Sequence, residues 1–329
     1  MKTMALRGGR LRIAVVGPGA IGCLFAGLLA EAGHDVTLLD HRPSRARLLS
    51  KTGITIQTAD GTRVVRVPAT ASAAEIGDVD IIFLCVKSYD TAAAISRAAK
   101  PVGPRTIVVS MQNGLGNAEQ IARVVAPSRI VCGTTGHGVI SLGPGHILHA
   151  GADKTRFAAF LPDGVSIARR IAAILRAAHF DATAGVNAES MLWSKLVINA
   201  AINPPTVIFN MRNGQMLNHP VARDIMLKAA EEAKAVAEAN GVSLMFRDPA
   251  REVEAVCRRT GSNLSSMLQD VQCRRRTEID SITGAIVRAA RSAGVAVPVS
   301  RSLLRQVRAI ESCRLASRGP AKEILVLLQ

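Results

Sequence analysis

Short apolar runs alternate with stretches of helical periodicity over the first half of the chain. Ile13-Ala14-Val15-Val16 is a β-type run that stops at Gly17, and Ala20 to Glu31 then reads as a helix. Val36 to Leu39 forms a second strand ending at Asp40. Gly53 to Gln57, Val64 to Val67, Ile81 to Val86 and Thr106 to Ser110 read as further strands. Val79 to Val86 is apolar at nearly every position, as a parallel strand covered on both faces should be. Val131 to Val139 and His146 to Ala150 continue the β-type runs, with an antiparallel arrangement open to them. From Asn187 the pattern changes to long helical segments. Ala188 to Asn203 predicts a helix closed by Pro204-Pro205, which cannot easily continue it. Val221 to Asn240 predicts an amphipathic helix ending at Gly241, and another follows Gly284 and runs to Gly294. The order predicts an α/β domain over 1–186 and an all-helical domain over 187–329. Neither contains an internal repeat or a low-complexity segment, and Arg314 to Gln329 is an undistinguished tail.

The amino terminus admits a second reading. Met1 to Arg12 is basic and Ile13 to Ala30 is uncharged, which resembles a signal peptide or membrane helix, with Ala30-Glu31-Ala32 as a cleavage site. Gly17, Pro18, Gly19, Gly22 and Gly27 break that run into apolar blocks too short to span alone. A strand, a glycine turn and a helix account for every residue, so a soluble chain is expected.

Composition narrows the partners. The 329 residues are 48% hydrophobic and 20% charged, which excludes a disordered or fibrous chain. Lys plus Arg is 41 and Asp plus Glu 25, giving +16 and favouring anionic partners. Only 3% of residues are aromatic, a poor supply of stacking platforms for nucleic acid. Arg274-Arg275-Arg276 adjoins Glu278 and Asp280 with no aromatic between, so nucleic acid is not expected as a partner. The six cysteines form no CxxC pair, and free thiols fit a reducing cytoplasm. His146 and His149 have HxxH spacing, but strand alternation would separate them and further ligands are missing; no metal is expected.

The chemistry starts at Gly17-Pro18-Gly19-Ala20-Ile21-Gly22. This GxGxxG follows a strand and opens a helix. Gly17 allows the tight turn, Gly19 lets backbone approach a pyrophosphate, and Gly22 lets helix and strand pack closely. Asp40 lies 18 residues past Gly22, where a ribose-binding acid falls. An acid there can bond the 2′-hydroxyl of NAD and would repel the 2′-phosphate of NADP. Arg42 follows it and can contact a 2′-phosphate through both guanidinium arms. Arg45 and Arg47 read as a solvated helix face. Lys87 and Asn113 sit at carboxyl ends of strands, where open α/β sheets bind ligands; a surface lysine and a turn residue are the plain alternatives. Lys195, Asn199 and Asn203 are spaced i, i+4 and i+8 and share one helical stripe, while Trp193 and Leu196 fall off it into the core. Asparagine is a poor helix former, so two of them beside a lysine suit a polar cleft better than a solvated face.

Together these residues resemble the ketopantoate reductase family, the 2-dehydropantoate 2-reductases of pantothenate biosynthesis. The resemblance rests on the glycine loop, Cys85-Val86-Lys87, Gln112-Asn113-Gly114-Leu115-Gly116, Gly133-Thr134-Thr135, Leu192 to Asn199, Ile202-Asn203-Pro204, Ser265 to Asp270 and Thr277 to Asp280, in family order over about residues 11 to 310. It implies a Rossmann-type domain followed by a helical one, with the active site between them. It implies that Lys195 is the catalytic lysine that protonates the keto oxygen, and that Glu278 holds the substrate hydroxyl and helps poise the lysine. Asn113 would lie near nicotinamide and substrate, Asn199 and Asn203 would contact substrate, Ser266 would bind its carboxylate, and Lys87 would lie beside the cofactor. Asp40 departs from the arginine that NADPH-using members often carry there. The expected cofactor is NADP(H), from the family and Arg42, with NAD(H) the alternative because of Asp40. The expected partner is a small 2-keto acid, with no membrane, and a homodimer is the assembly considered. Reduction of another branched 2-keto acid, or a non-catalytic dinucleotide-binding sensor, stand as the alternative functions.

Overall fold

The computed structural model of the chain describes residues 9–185 and 187–316. The basic segment before Gly9 and the tail after Ala316 lie outside these residues. The chain divides into two compact units. The first runs to Leu196 and takes in Gly241–Arg247; the second takes Val197–Asn240 and resumes at Asp248.

The first unit opens with β1 (Arg12–Val16), α1 (Ala20–Glu31), β2 (Asp35–Leu39) and α2 (Pro43–Thr52), then β3 (Ile54–Thr58), β4 (Gly61–Val65) and β5 (Ala69–Thr70). It continues with β6 (Ile81–Leu84), α3 (Thr91–Arg97), β7 (Ile107–Ser110), α4 (Asn117–Ile121) and β8 (Ile130–Thr135). It goes on through β9 (Gly138–Gly143), β10 (His146–Gly151), β11 (Thr155–Ala159), α5 (Val165–Ala177) and β12 (Ala182–Ala184). The main sheet has the order β12-β11-β8-β7-β6-β1-β2-β5. It is parallel from β2 through β1, β6 and β7 to β8, and β11 returns antiparallel to β8. Every residue of β6 and β7 is buried, which is why both are written as unbroken apolar runs. Successive side chains feed opposite faces. Ile81 and Phe83 join one core with Phe25 and Phe157; Ile82 and Leu84 join the other with Val108 and Ile121.

Two sequence expectations change here. The Gly53 to Gln57 run forms β3, but only Val64 and Val65 of the Val64 to Val67 run lie in a strand, β4, which starts at Gly61; both strands belong to a second sheet of order β4-β3-β10-β9. The run Val131 to Val139 is not one strand: β8 ends at Thr135 and β9 begins at Gly138 in the other sheet. The break falls at Gly136, where a Cβ would come within 2.6 Å of the Asp153 carboxylate. A side chain at 136 would require the Asp153 side chain to move.

α6 (Ala188–Phe209) runs through Pro204 and Pro205 instead of stopping at them. Local preference loses to burial, since residues 199–207 are all buried. Just past the prolines Thr206 donates its hydroxyl to the Asn203 carbonyl, at 2.7 Å. The second unit also holds α7 (Pro220–Ala239), α8 (Pro249–Arg259), α9 (Ser266–Gln272), α10 (Thr283–Ala293) and α11 (Pro298–Ala316). Glu232 of α7 accepts from the Val299 and Ser300 N–H groups at 2.8 and 2.7 Å, satisfying the start of α11. Arg275 pairs with Asp270, and Arg276 with Asp280, so this basic run is matched by neighbouring carboxylates. Among the described residues no helix is long and apolar enough to cross a membrane.

His149 does not work with His146. Its Nε2 lies 2.8 Å from Nδ1 of His137, with the rings stacked 5.0 Å apart. Among the described residues no group of three or more potential ligands forms a metal site. Burial and the second ring push His137 down to about 4, and burial also lowers His149. In the unfolded chain both titrate near 6.5. Between pH 6.5 and 4 the unfolded chain therefore binds more protons, and stability falls as pH falls. After allowance for solvent screening, His137 accounts for a loss of about 2 kcal/mol. Urea unfolding at pH 7.5 and 4.5 should show a smaller acid loss in His137→Gln than in the wild type; equal losses would contradict this assignment.

Candidate active site

The glycine loop is built as its sequence requires. Gly17 has φ +92°, and a Cβ there would meet the Val86 backbone nitrogen at 2.8 Å. A Cβ on Gly22 would lie 2.2 Å from the Gly17 carbonyl oxygen. Both glycines are therefore demanded by the protein itself. Gly19 differs: it is exposed, and a Cβ there would meet nothing within 4 Å. The space over Gly19 is an open cradle of the kind a pyrophosphate needs. The first turn of α1 has no side-chain cap and no acidic residue, so its N–H groups face that space with a positive dipole end. Pro18 is buried beneath the loop, and Ala20 and Ile21 are half-buried at the helix start. These features fit a dinucleotide.

Asp40, at the end of β2, is not exposed. Its side chain has 0% accessibility. Arg45 holds it through Nε on one oxygen and Nη2 on the other, the second bond at 2.8 Å. The Arg42 backbone N–H adds a third bond at 3.1 Å, and His41 Nδ1 lies 3.5 Å away. Burial alone would raise the Asp40 carboxyl, but the Arg45 and Arg42 hydrogen bonds and the positive charge of Arg45 hold it below its ordinary value. Arg45 is thus no solvated helix residue. Its offset of five from Asp40, bringing the third residue of α2 back over the strand end, is a signal the sequence carries. Arg47 is exposed as expected, and Arg42 is exposed with its Nε donating to His41.

Lys87 and Asn113 follow β6 and β7, both half-buried. A buried polar girdle joins the two loops that carry them. Gln112 donates to the Val86 carbonyl at 3.1 Å and to the Thr91 hydroxyl at 2.7 Å. Thr91 in turn donates to Asn117 at 2.9 Å, and Asn117 donates to the Asn113 carbonyl at 3.0 Å. Sequence reading missed these supporting residues, because Gln, Thr and Asn look like ordinary loop polarity until their burial is known.

Lys195, Asn199 and Asn203 lie along α6 at the spacing expected, with Lys195 half-buried and both asparagines buried. A solvated stripe is excluded. Trp193 and Leu196 are buried off the stripe, as expected. In the second unit Ser265, not Ser266, caps α9, accepting from the Leu268 N–H at 3.1 Å and bonding Thr206 at 2.6 Å. Ser266 is left exposed beside it. Glu278 is buried at 5% accessibility. The preceding Thr277 is anchored by its N–H and hydroxyl to Glu311, at 2.8 and 2.6 Å. A cavity of about 280 Å³ in the first unit is lined by residues that include Gln112, Gly116, Asn117, Phe160 and Trp193. Asn113 and Lys195 are not among its lining residues, although Gln112, Gly114 and Trp193 are.

A parallel sheet with an open glycine cradle at the β1–α1 turn, joined to a helical unit, is the architecture of a dinucleotide-binding protein. Residues 13–162 match the family model of ketopantoate reductase PanE/ApbA, and residues 187–311 match that of its C-terminal part. The chain belongs to the ketopantoate reductase family. It is 36% identical over 301 residues to a 2-dehydropantoate 2-reductase of Halobacterium salinarum, covering 91% of this chain and 98% of the relative. It is 33% identical over 301 residues to that of Archaeoglobus fulgidus, covering 92% and 98%. The crystal structure of a PanE/ApbA family ketopantoate reductase from Ralstonia eutropha superposes with TM-score 0.83 at 31% identity, covering 92% of this chain and 99% of that one.

Proposed function

We propose that this protein reduces 2-dehydropantoate (ketopantoate) to (R)-pantoate with NADPH, a step of pantothenate and coenzyme A biosynthesis. The observation that carries the reading is the enclosed stripe of Lys195, Asn199 and Asn203 on α6 in a chain that keeps the open cradle at Gly19. Gly17 through Gly22 hold the pyrophosphate, Lys87 and Asn113 flank the cofactor, and Arg42 takes its 2′-phosphate. When bound, the reduced nicotinamide supplies a hydride. Reduction builds negative charge on the keto oxygen, so the Lys195 ammonium stabilises the transition state more than the ground state. Lys195 then donates its proton to that oxygen. Glu278 accepts from the substrate hydroxyl. Asn199 and Asn203 hold the substrate, and Ser266 binds its carboxylate. The reading also makes the protein a cytoplasmic enzyme of small molecules, with no nucleic-acid partner.

Initial rates with ketopantoate at matched NADPH and NADH test this. NADPH oxidation well above NADH oxidation is expected. Faster NADH turnover would keep the reaction and overturn the cofactor. No turnover with either, while other branched 2-keto acids react, would overturn the substrate. Cofactor binding without turnover on any 2-keto acid would point to a sensor.

A further inference from the structure

Nothing in the family resemblance accounts for an acid at residue 40 of an NADPH enzyme, and the contacts of that acid supply an answer. In dinucleotide folds a carboxylate at the end of the second strand selects the unphosphorylated ribose by bonding its 2′-hydroxyl and repelling a 2′-phosphate. That role requires an exposed oxygen and an uncompensated charge. Asp40 has neither: its side chain is fully enclosed, both oxygens accept from Arg45, and one also accepts from the Arg42 N–H. A guanidinium matched to both oxygens of a carboxylate is a geometrically specific clamp, and it cancels the negative charge locally. Beyond the clamp, the exposed residues that follow the strand are His41, Arg42, Pro43 and Ser44, of which His41 and Arg42 can carry positive charge, while exposed Glu75 accepts from the Thr70 hydroxyl on the neighbouring strand. The acid is present in the sequence but withdrawn from the surface.

We infer that Arg45 is a specificity-determining residue: by clamping Asp40 it removes the group that would select NADH and leaves the strand end cationic, open to a 2′-phosphate at Arg42. This rests on the NADPH reading above. Arg45 acts through Asp40, so it is a positioning residue with an electrostatic consequence. Specificity here comes from removing a repulsive element as much as from adding an attractive one.

The test is equilibrium binding of NADPH and NADH, followed by titration calorimetry, to the wild type, Arg45→Gln and the double variant Arg45→Gln/Asp40→Asn. In Arg45→Gln the Asp40 carboxylate loses the cation that compensates it and the bonds that hold it. NADPH affinity should fall about tenfold or more while NADH affinity holds or rises, a change set by the like-charge repulsion of a 2′-phosphate. The double variant replaces a neutral ion pair by a neutral amide pair. Its NADPH affinity should return to within about threefold of wild type. A double variant as weak for NADPH as the single one would mean that Arg45 itself grips the phosphate, and would overturn the inference. Parallel loss of both nucleotides in Arg45→Gln would show a merely structural role and also overturn it. If Arg45→Gln does not fold, the double variant decides alone, since a tenfold NADPH loss there contradicts the clamp. Tighter NADH than NADPH binding in the wild type would instead defeat the NADPH reading, and is seen before any variant is made.

Discussion

Lys195→Ala lowers kcat for ketopantoate by about a thousandfold while NADPH binding stays within about threefold of wild type. General-acid catalysis contributes about a hundredfold to ten-thousandfold, and charge stabilisation at a developing oxyanion is of similar size. Lys195 is assigned both tasks, so its loss falls in the upper part of that range. The affinity for cofactor should be kept because the proposed dinucleotide contacts come from the glycine loop and the ends of β2, β6 and β7. Lys195→Arg keeps a charge but not a readily released proton, since guanidinium remains protonated at any working pH. It should recover substrate affinity more than turnover. Single-turnover rates with nucleotide titrations on the same variants check both parts. Turnover of Lys195→Ala close to wild type would remove this residue from the chemistry, whatever the affinities.

The second large effect separates three glycines that look alike in sequence. Gly22→Ala places a Cβ 2.2 Å from the Gly17 carbonyl oxygen, a backbone atom that cannot swing aside. Overpacking against backbone costs more than the usual 1–3 kcal/mol of a crowded core, so a loss above about 3 kcal/mol is expected. That is a large share of the stability of an ordinary domain. Gly17→Ala adds a positive φ to a close contact with Val86 and should behave similarly. Gly19→Ala has φ −77° and open space around its Cβ. Its stability should match wild type within about 0.5 kcal/mol. Its NADPH affinity should nevertheless fall at least about tenfold, because the methyl group occupies the space a pyrophosphate needs. Urea unfolding paired with NADPH titration separates these outcomes. Unimpaired binding by Gly19→Ala would mean that this cradle does not hold the phosphates.

Much of this was legible in the sequence because the physical rules involved are local. The apolar run Ile81 to Leu84 had to be a doubly covered strand, and GxGxxG between strand and helix had to be a tight turn. Lys195, Asn199 and Asn203 needed only the helical repeat to be placed together. What stayed hidden depends on contacts distant in sequence or on burial. Arg45 reads as a surface residue until Asp40 is seen enclosed beneath it. Strand alternation separates His149 from His146, but only the fold shows that its partner is His137, twelve residues earlier. The helix at Pro204-Pro205 continues because its surroundings are packed, which no propensity can announce. Ser265 and Ser266 are adjacent and chemically equal; only the fold makes one a helix cap and leaves the other exposed.

The central claim is direct reduction of ketopantoate by a bound reduced nicotinamide. Incubation with ketopantoate and NADPH dideuterated at C4, followed by mass spectrometry of the product, tests it. Pantoate should carry one deuterium at C2 and form in equal amount to the NADPH consumed. Unlabelled pantoate, or cofactor oxidation with no pantoate, would contradict it.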